Sequence, residues 1–242
     1  MNELYPQVIP VAPVSARSRA VGYGRYQAAC AAAILERQEQ LAEALGQLAR
    51  RAEALAEVAE CLITALRGGH KVLVAGNGGS AAESQHLVAE LVGRFRRERE
   101  PYAVIALTAD TAILTAVAND YGYAEVFARQ VRALGRADDV LVLFSTSGES
   151  ENLVRAANAG RQRGLTTIAI TGDRPNRLAL LTDLAMQVPA AETAIVQELH
   201  QIVTHLLCDL VETELTAIEL VLSLPVPDDD TGGANPVENS RG

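Results

Sequence analysis

The sequence predicts an α/β fold in which a five-stranded parallel sheet with helical connections follows long amphipathic helices. Three observations predict it. Five short runs rich in β-branched residues, "KVLVAG", "YAVIAL", "DVLVLFS", "TTIAIT" and "LAMQVP", are continuously apolar rather than alternating, as strands buried on both faces are. The stretches between them are long enough for the crossover helices that parallel pairing requires. Hydrophobic residues make up 49% of the chain but aromatics only 4%, with no Trp, so the core is built from Ala, Leu, Val and Ile. With 242 residues the chain can bury about 70% of its unfolded surface in a single domain.

Taken in order, residues 1–20 hold three prolines without helical or strand periodicity and read as a disordered tail. Their acidic and amide residues precede any apolar run, unlike the layout of a signal peptide. Between Tyr26 and Leu66, apolar residues recur at three- and four-residue spacing with Glu, Gln and Arg between them. One long or two consecutive amphipathic helices follow, able to cover a sheet or to join subunits. The five strands and their crossovers come next. Right-handed crossovers gather the loops at the strands' C-terminal ends on one edge, where open α/β sheets bind ligands. The last segment, "ETAIVQELHQIVTHLLCDLVETELTAIELVL", is helical by spacing and closes a single domain over residues 21–222. Residues 223–242 read as a second disordered tail.

The formal charge of −9 opposes a nonspecific grip on nucleic acid, which needs a field of Lys and Arg. No run reaches the roughly 20 apolar residues that cross a bilayer, so no membrane partner is expected. Cys30, Cys61 and Cys208 are odd in number and far apart, and they read as reduced, small core residues of a cytoplasmic protein.

Two loops carry the chemistry. After the first strand comes "GNGGS", with Asn77, Gly78, Gly79 and Ser80, and then a helix from about Ala81. Glycines let a backbone approach a ligand closely, and the free N–H groups of a helix start attract an anion. The string also fits a dinucleotide fingerprint, but the acidic residue expected about 20 positions on is missing, and no Gly-Lys-Ser/Thr marks a Walker loop. A tight strand-to-helix turn is the bland alternative. After the third strand, "STSGES" repeats the design with Ser145, Thr146, Ser147 and Ser150 around one glycine. Such hydroxyls and N–H groups can surround a phosphate without Lys or Arg, and one or two of them would suffice as helix caps.

His86 and Glu90 lie four residues apart on one face of the helix after the first loop. In the last helix Gln197 and His205 stand eight residues apart, about 80° around the axis. Together they offer two imidazoles, a carboxylate and an amide oxygen, a set suited to zinc or a similar divalent ion; a surface pair is the alternative for His86 and Glu90. His200 could replace either partner on the last helix, and His70, in a turn, is expected to be exposed.

The segments "GNGGSAAESQHLVAELVGRF", "TAVANDYGY", "STSGESENLV" and "VQELHQIVTHLLCDLVE" resemble, in order and spacing, the bacterial phosphoheptose isomerases of the SIS (sugar isomerase) superfamily. The resemblance spans Ala28 to Leu215. It implies a three-layer αβα sandwich, a homotetramer, and isomerisation of sedoheptulose 7-phosphate to D-glycero-D-manno-heptose 7-phosphate, the entry to nucleotide-activated heptoses. By motif it places substrate contacts on Asn77, Gly78, Gly79, Ser80, Glu90, Asn119, Asp120, Ser145, Thr146, Ser147, Ser150 and Gln197. It places one zinc per subunit on His86, Glu90, Gln197 and His205, and an acid/base pair on Glu90 and His205. Asp120 could instead cap the turn at "NDYG".

Two stretches depart from the family pattern: Ile195 stands where an Arg is common, and "GDRPNRLALL" replaces a Gly-rich loop. A different phosphosugar isomerase or sensor therefore stays open. So does a non-catalytic relative that associates with the replication initiator, although that relative lacks equivalents of Glu90 and His205.

Overall fold

The computed structural model describes residues 16–222, with side-chain surroundings over 23–217. The tails expected at the two ends fall mainly on 1–15 and 223–242, outside the described residues. The elements run α1 (Ala16–Ala49), α2 (Ala52–Arg67), β1 (Val72–Gly76), α3 (Gly79–Val92), β2 (Val104–Ala106), α4 (Thr111–Tyr121), a 3-10 turn at Tyr123–Glu125, α5 (Val126–Leu134), β3 (Val140–Ser145), α6 (Glu151–Gln162), β4 (Thr166–Thr171), α7 (Arg177–Leu181), β5 (Leu184–Gln187) and α8 (Thr193–Leu222). All five strands expected from the apolar runs form, and every pairing is parallel, in the order β2-β1-β3-β4-β5.

Alternation of side chains splits the core in two. Val72, Val74, Val140, Val142, Phe144, Ile168 and Ile170 point to one face and pack under α2, α3 and α8. Leu73, Ala75, Leu141, Leu143 and Ala169 point to the other and pack under α5, α6 and α7. With helices on both sides, the central strands β1 and β3 are buried on both faces, so they carry no polar alternation. The result is the three-layer αβα sandwich.

The stretch from Tyr26 to Leu66 resolves into two helices. They break at Arg50 and Arg51, with neither Gly nor Pro to mark the place. Arg51 bonds outward instead, to the Asp173 carboxylate at 2.8 Å and to the Gln187 carbonyl at 2.7 Å, which ties the start of α2 to the edge of the sheet. Most of α1 before Leu41 is exposed, including Tyr23, Tyr26, Ile34 and Leu35. Cys30 lies on this stretch and is exposed, contrary to the expectation of a core residue, because nothing among the described residues covers that part of the helix. Cys61 is half-buried and Cys208 is buried, where burial, with Glu90 and Glu212 nearby, pushes its thiol up to about 12.

Candidate active site

The connections fix where a site can lie. From β1 the chain moves to β2 on one side, and then returns past β1 to β3 on the other. The loops after β1 and β3 therefore diverge at the C-terminal edge, leaving a crevice between two adjacent strands, the usual ligand position in an open α/β sheet.

Both walls of that crevice are the expected Gly/Ser loops. In the first, Gly78 takes φ +56, and a Cβ on Gly76 would lie 2.3 Å from the Ser80 carbonyl, so the strand turns into α3 within two residues. In the second, Gly148 takes φ +68 against the Asn176 side chain, with the Ser145 hydroxyl accepting its N–H at 3.0 Å. The Ser147 hydroxyl accepts the Glu149 N–H at 3.2 Å, and Ser150 is the N-cap of α6. Thr146 and Ser150 are half-buried and Ser147 is exposed, so these hydroxyls face accessible space at a helix N-terminus.

Asn77 joins the two walls. Its amide exchanges hydrogen bonds of 2.9 Å in both directions with Asn152 of α6, and its oxygen also accepts the Tyr123 hydroxyl at 2.9 Å. Asn119 and Asp120, at the end of α4, are exposed and bond to each other at 2.7 Å. Tyr123, three residues beyond Asp120, is what ties this corner to the first loop.

The charged group forms between α3 and α8. His86 Nε2 lies 3.1 Å from Glu90 Oε1. One donor atom from each of His86, Glu90 and His205 falls within 4.8 Å of the others. The two imidazoles meet edge to face with centroids 5.2 Å apart, and Phe95 stacks on the other side of His205 at 5.4 Å. Two imidazoles and a carboxylate at this spacing fit a divalent cation of the zinc class. Gln197 packs at the loop end of this wall, where a Cβ on Gly79 would lie 2.3 Å from its amide nitrogen. Gln201 is the amide that contacts His205, at 2.9 Å between Nε2 atoms.

Beneath the group, Glu83 is buried between α3 and α8. Burial raises its carboxyl, opposed in part by the nearby Thr204 side chain and by His86 and His205. His200 is not part of the group: it is buried against Phe144 at a centroid distance of 5.7 Å. His70 is half-buried rather than exposed, because the tight turn brings its ring against Gly68.

Five residues at this edge escaped the sequence reading. Asn152 and Tyr123 sat inside quoted motifs, and a polar residue facing a polar loop was the available signal. Gln201, one turn from His205, had the same helical signal. Phe95 and Asn176 also lay in quoted stretches but carried no local signal, since each meets a partner distant in sequence.

Comparison with known proteins adds to this geometry. Residues 31–172 match the SIS domain family. The chain is 51% identical over 170 residues to the phosphoheptose isomerase of Streptomyces coelicolor, covering 70% of this chain and 74% of that one. It is 49% identical over 164 residues to the phosphoheptose isomerase of Rhodospirillum rubrum, covering 68% and 87%. Among solved structures, a phosphoheptose isomerase from Francisella tularensis superposes with a TM-score of 0.73 at 37% identity, over 76% of this chain and 98% of that one. One from Neisseria gonorrhoeae gives 0.71 at 39% identity, over 78% and 99%.

Proposed function

The chain belongs to the SIS domain family and, within it, to the phosphoheptose isomerases, and we propose that its aldose–ketose isomerase chemistry runs in the crevice between the loops after β1 and β3. The reaction interconverts sedoheptulose 7-phosphate and D-glycero-D-manno-heptose 7-phosphate, in heptose biosynthesis. The observation that carries the assignment of the site is the convergence of His86, Glu90 and His205 from α3 and α8, with a hydroxyl-rich helix N-terminus after β3 as the phosphate candidate.

In this reading the phosphate rests on Ser145, Thr146, Ser147 and Ser150, with the N-terminus of α6 supplying N–H donors. Asn77, Gly78, Gly79 and Ser80 border the sugar from the first loop, Asn119 and Asp120 from the end of α4, and Gln197 from α8. Glu90 takes the proton from C1 of the ketose and delivers it to C2, through an enediol. His205 moves the second proton between the two oxygens. Positioned acid–base groups of this kind contribute about 10²- to 10⁴-fold each.

His86, Glu90, Gln197 and His205 would hold one zinc per subunit, which when bound supplies Lewis-acid stabilisation of the negative charge that develops on the enediol oxygens. The donor set supports that class of ion, and the choice of zinc rests on the imidazole and carboxylate ligands. The exposed apolar side chains of α1 support assembly through that helix, and a homotetramer is the proposed state. Among the described residues no helix is long and apolar enough to cross a membrane. Thiols free of disulfides support a cytoplasmic setting.

The experiment is to incubate the protein with sedoheptulose 7-phosphate and follow the anomeric protons of the aldose by NMR, with and without chelator and added zinc. Formation of the manno-heptose phosphate, abolished in Glu90→Gln and sensitive to chelation, is the expected result. A folded, zinc-supplied protein that forms no aldose overturns the reading, and an active Glu90→Gln removes Glu90 as the base.

A further inference from the structure

Seven residues beyond His205 on α8, Glu212 is a fully buried carboxylate that is not among the expected site residues. Its two oxygens accept three consecutive backbone N–H groups from the loop after α3: Phe95 at 3.0 Å, Arg96 at 2.7 Å and Arg97 at 2.9 Å. The Arg99 guanidinium lies 3.3 Å away as an ion pair, with both side chains fully shielded from solvent. Arg99 in turn donates to the Glu90 carbonyl at 3.0 Å and the Gly93 carbonyl at 3.1 Å, and it rests on the Tyr102 ring at 4.0 Å. The loop is thus gripped from inside, and its Phe95 side chain stacks on His205 at an interplanar angle of 30°.

We propose that Glu212 is a positioning residue of the isomerase centre, acting through Phe95 on the His205 ring and through Arg99 on the helix end that carries Glu90. The proposal rests on the reading of Glu90 and His205 given above. A buried carboxylate–guanidinium pair contributes little net stability compared with apolar residues filling the same space. What this pair does that an apolar filling could not is fix three successive backbone N–H vectors and the backbone carbonyls of Glu90 and Gly93. Those fixed points set the Phe95 ring against the imidazole and the last turn of α3 beneath Glu90. His205 has to keep one ring plane while it exchanges a proton with sugar oxygens. It is held by the His86 edge, the Gln201 amide and the Phe95 face, and the last of these depends on Glu212.

The test compares Glu212→Gln, Phe95→Leu and the double variant, with kcat and KM measured separately on sedoheptulose 7-phosphate and folding checked by urea denaturation. Each single variant is expected to lower kcat about 10- to 100-fold with KM little changed. The double variant should be no slower than the slower single one, because both remove the same restraint, and Phe95→Tyr, which keeps the flat ring, should restore the rate. Independent, multiplying losses, or losses confined to KM or to stability, overturn the proposal. If Glu212→Gln does not fold, Glu212→Asp, which keeps the charge but retracts it by one methylene, takes its place. A second readout does not need turnover. The His205 ring-proton resonances should move in Phe95→Leu and move likewise in the Glu212 variant, and an unmoved His205 in the Glu212 variant overturns the proposal. A wild-type protein without isomerase activity would sink the functional reading, while the resonances still decide the positioning claim.

Discussion

Asn77 and Asn152 exchange two hydrogen bonds of 2.9 Å, one in each direction, and so lock the loop after β1 to the helix after β3 across the crevice. The Asn77 oxygen also accepts from the Tyr123 hydroxyl, which fills both of its acceptor sites and leaves one N–H of the amide for a ligand. Asn77 is therefore as much a tie between the walls as a ligand contact. Asn152→Ala leaves the Asn77 amide half-buried with one donor and one acceptor site unpaired, and should destabilise the fold by about 1–3 kcal/mol. It should also raise KM for the sugar phosphate, because the two loops then move independently. Urea denaturation and steady-state kinetics on the same preparation check both effects.

Gly79 and Gln197 give a cleaner separation of stability from function. A Cβ at Gly79 would lie 2.3 Å from the Gln197 amide nitrogen, the far end of a flexible side chain, so Gln197 yields and the backbone does not. Gly79 is the first residue of α3 and does not hold a positive φ, so alanine enters there without backbone strain. Gly79→Ala is therefore expected to keep or slightly raise the melting temperature while zinc affinity, read by chelator competition, falls about 10- to 100-fold. Unchanged zinc affinity would remove Gln197 from the proposed ligand set.

The contrast between these residues explains what the sequence made legible. Strands such as Val140–Ser145 are readable because burial on both faces demands an unbroken apolar run. The Gly/Ser loops are readable because positive φ at Gly78 and Gly148 demands glycine. His86 and Glu90 are readable because a helix has a fixed period. Asn176 and Phe95 are not, since their importance comes from which distant loop they meet. Asn176 lies so close that a Cβ on Gly148 would sit 2.0 Å from its oxygen, yet it stands 28 residues further on, in the loop that departs from the family pattern. The break between α1 and α2 was hidden for the same reason, because Arg51 ends the helix through partners at Asp173 and Gln187.

Helix α1 gives a prediction about assembly. Ile34, 67% exposed, lies with Leu41 and Leu45 along an apolar groove of about 580 Å³. If a second copy covers this face in the proposed tetramer, Ile34→Asp places a charge where water is excluded and should shift the protein to smaller species in light scattering, while leaving the monomer's helical content intact. A wild-type protein that is monomeric at every concentration tested would remove α1 as the assembly element.

His200 sets how stability should depend on pH. Its ring is buried against Phe144, and burial pulls its pKa from 6.5 down to about 4, with the Thr171 backbone opposing that shift in part. The folded pKa lies below the unfolded one, so between these values the unfolded chain binds the extra proton. Stability from this residue is therefore complete above pH 6.5, declines as the pH falls through 6.5, and has dropped by about 2 kcal/mol near pH 5 and about 3 kcal/mol near pH 4. His200→Phe replaces the ring with one of similar shape that cannot titrate, and it should flatten that stretch of the curve. Urea midpoints for both proteins between neutral pH and about pH 5 measure the difference. Parallel curves would mean that His200 finds a partner for its charge in the folded protein, and the acid sensitivity would then have to come from carboxylates titrating below that window.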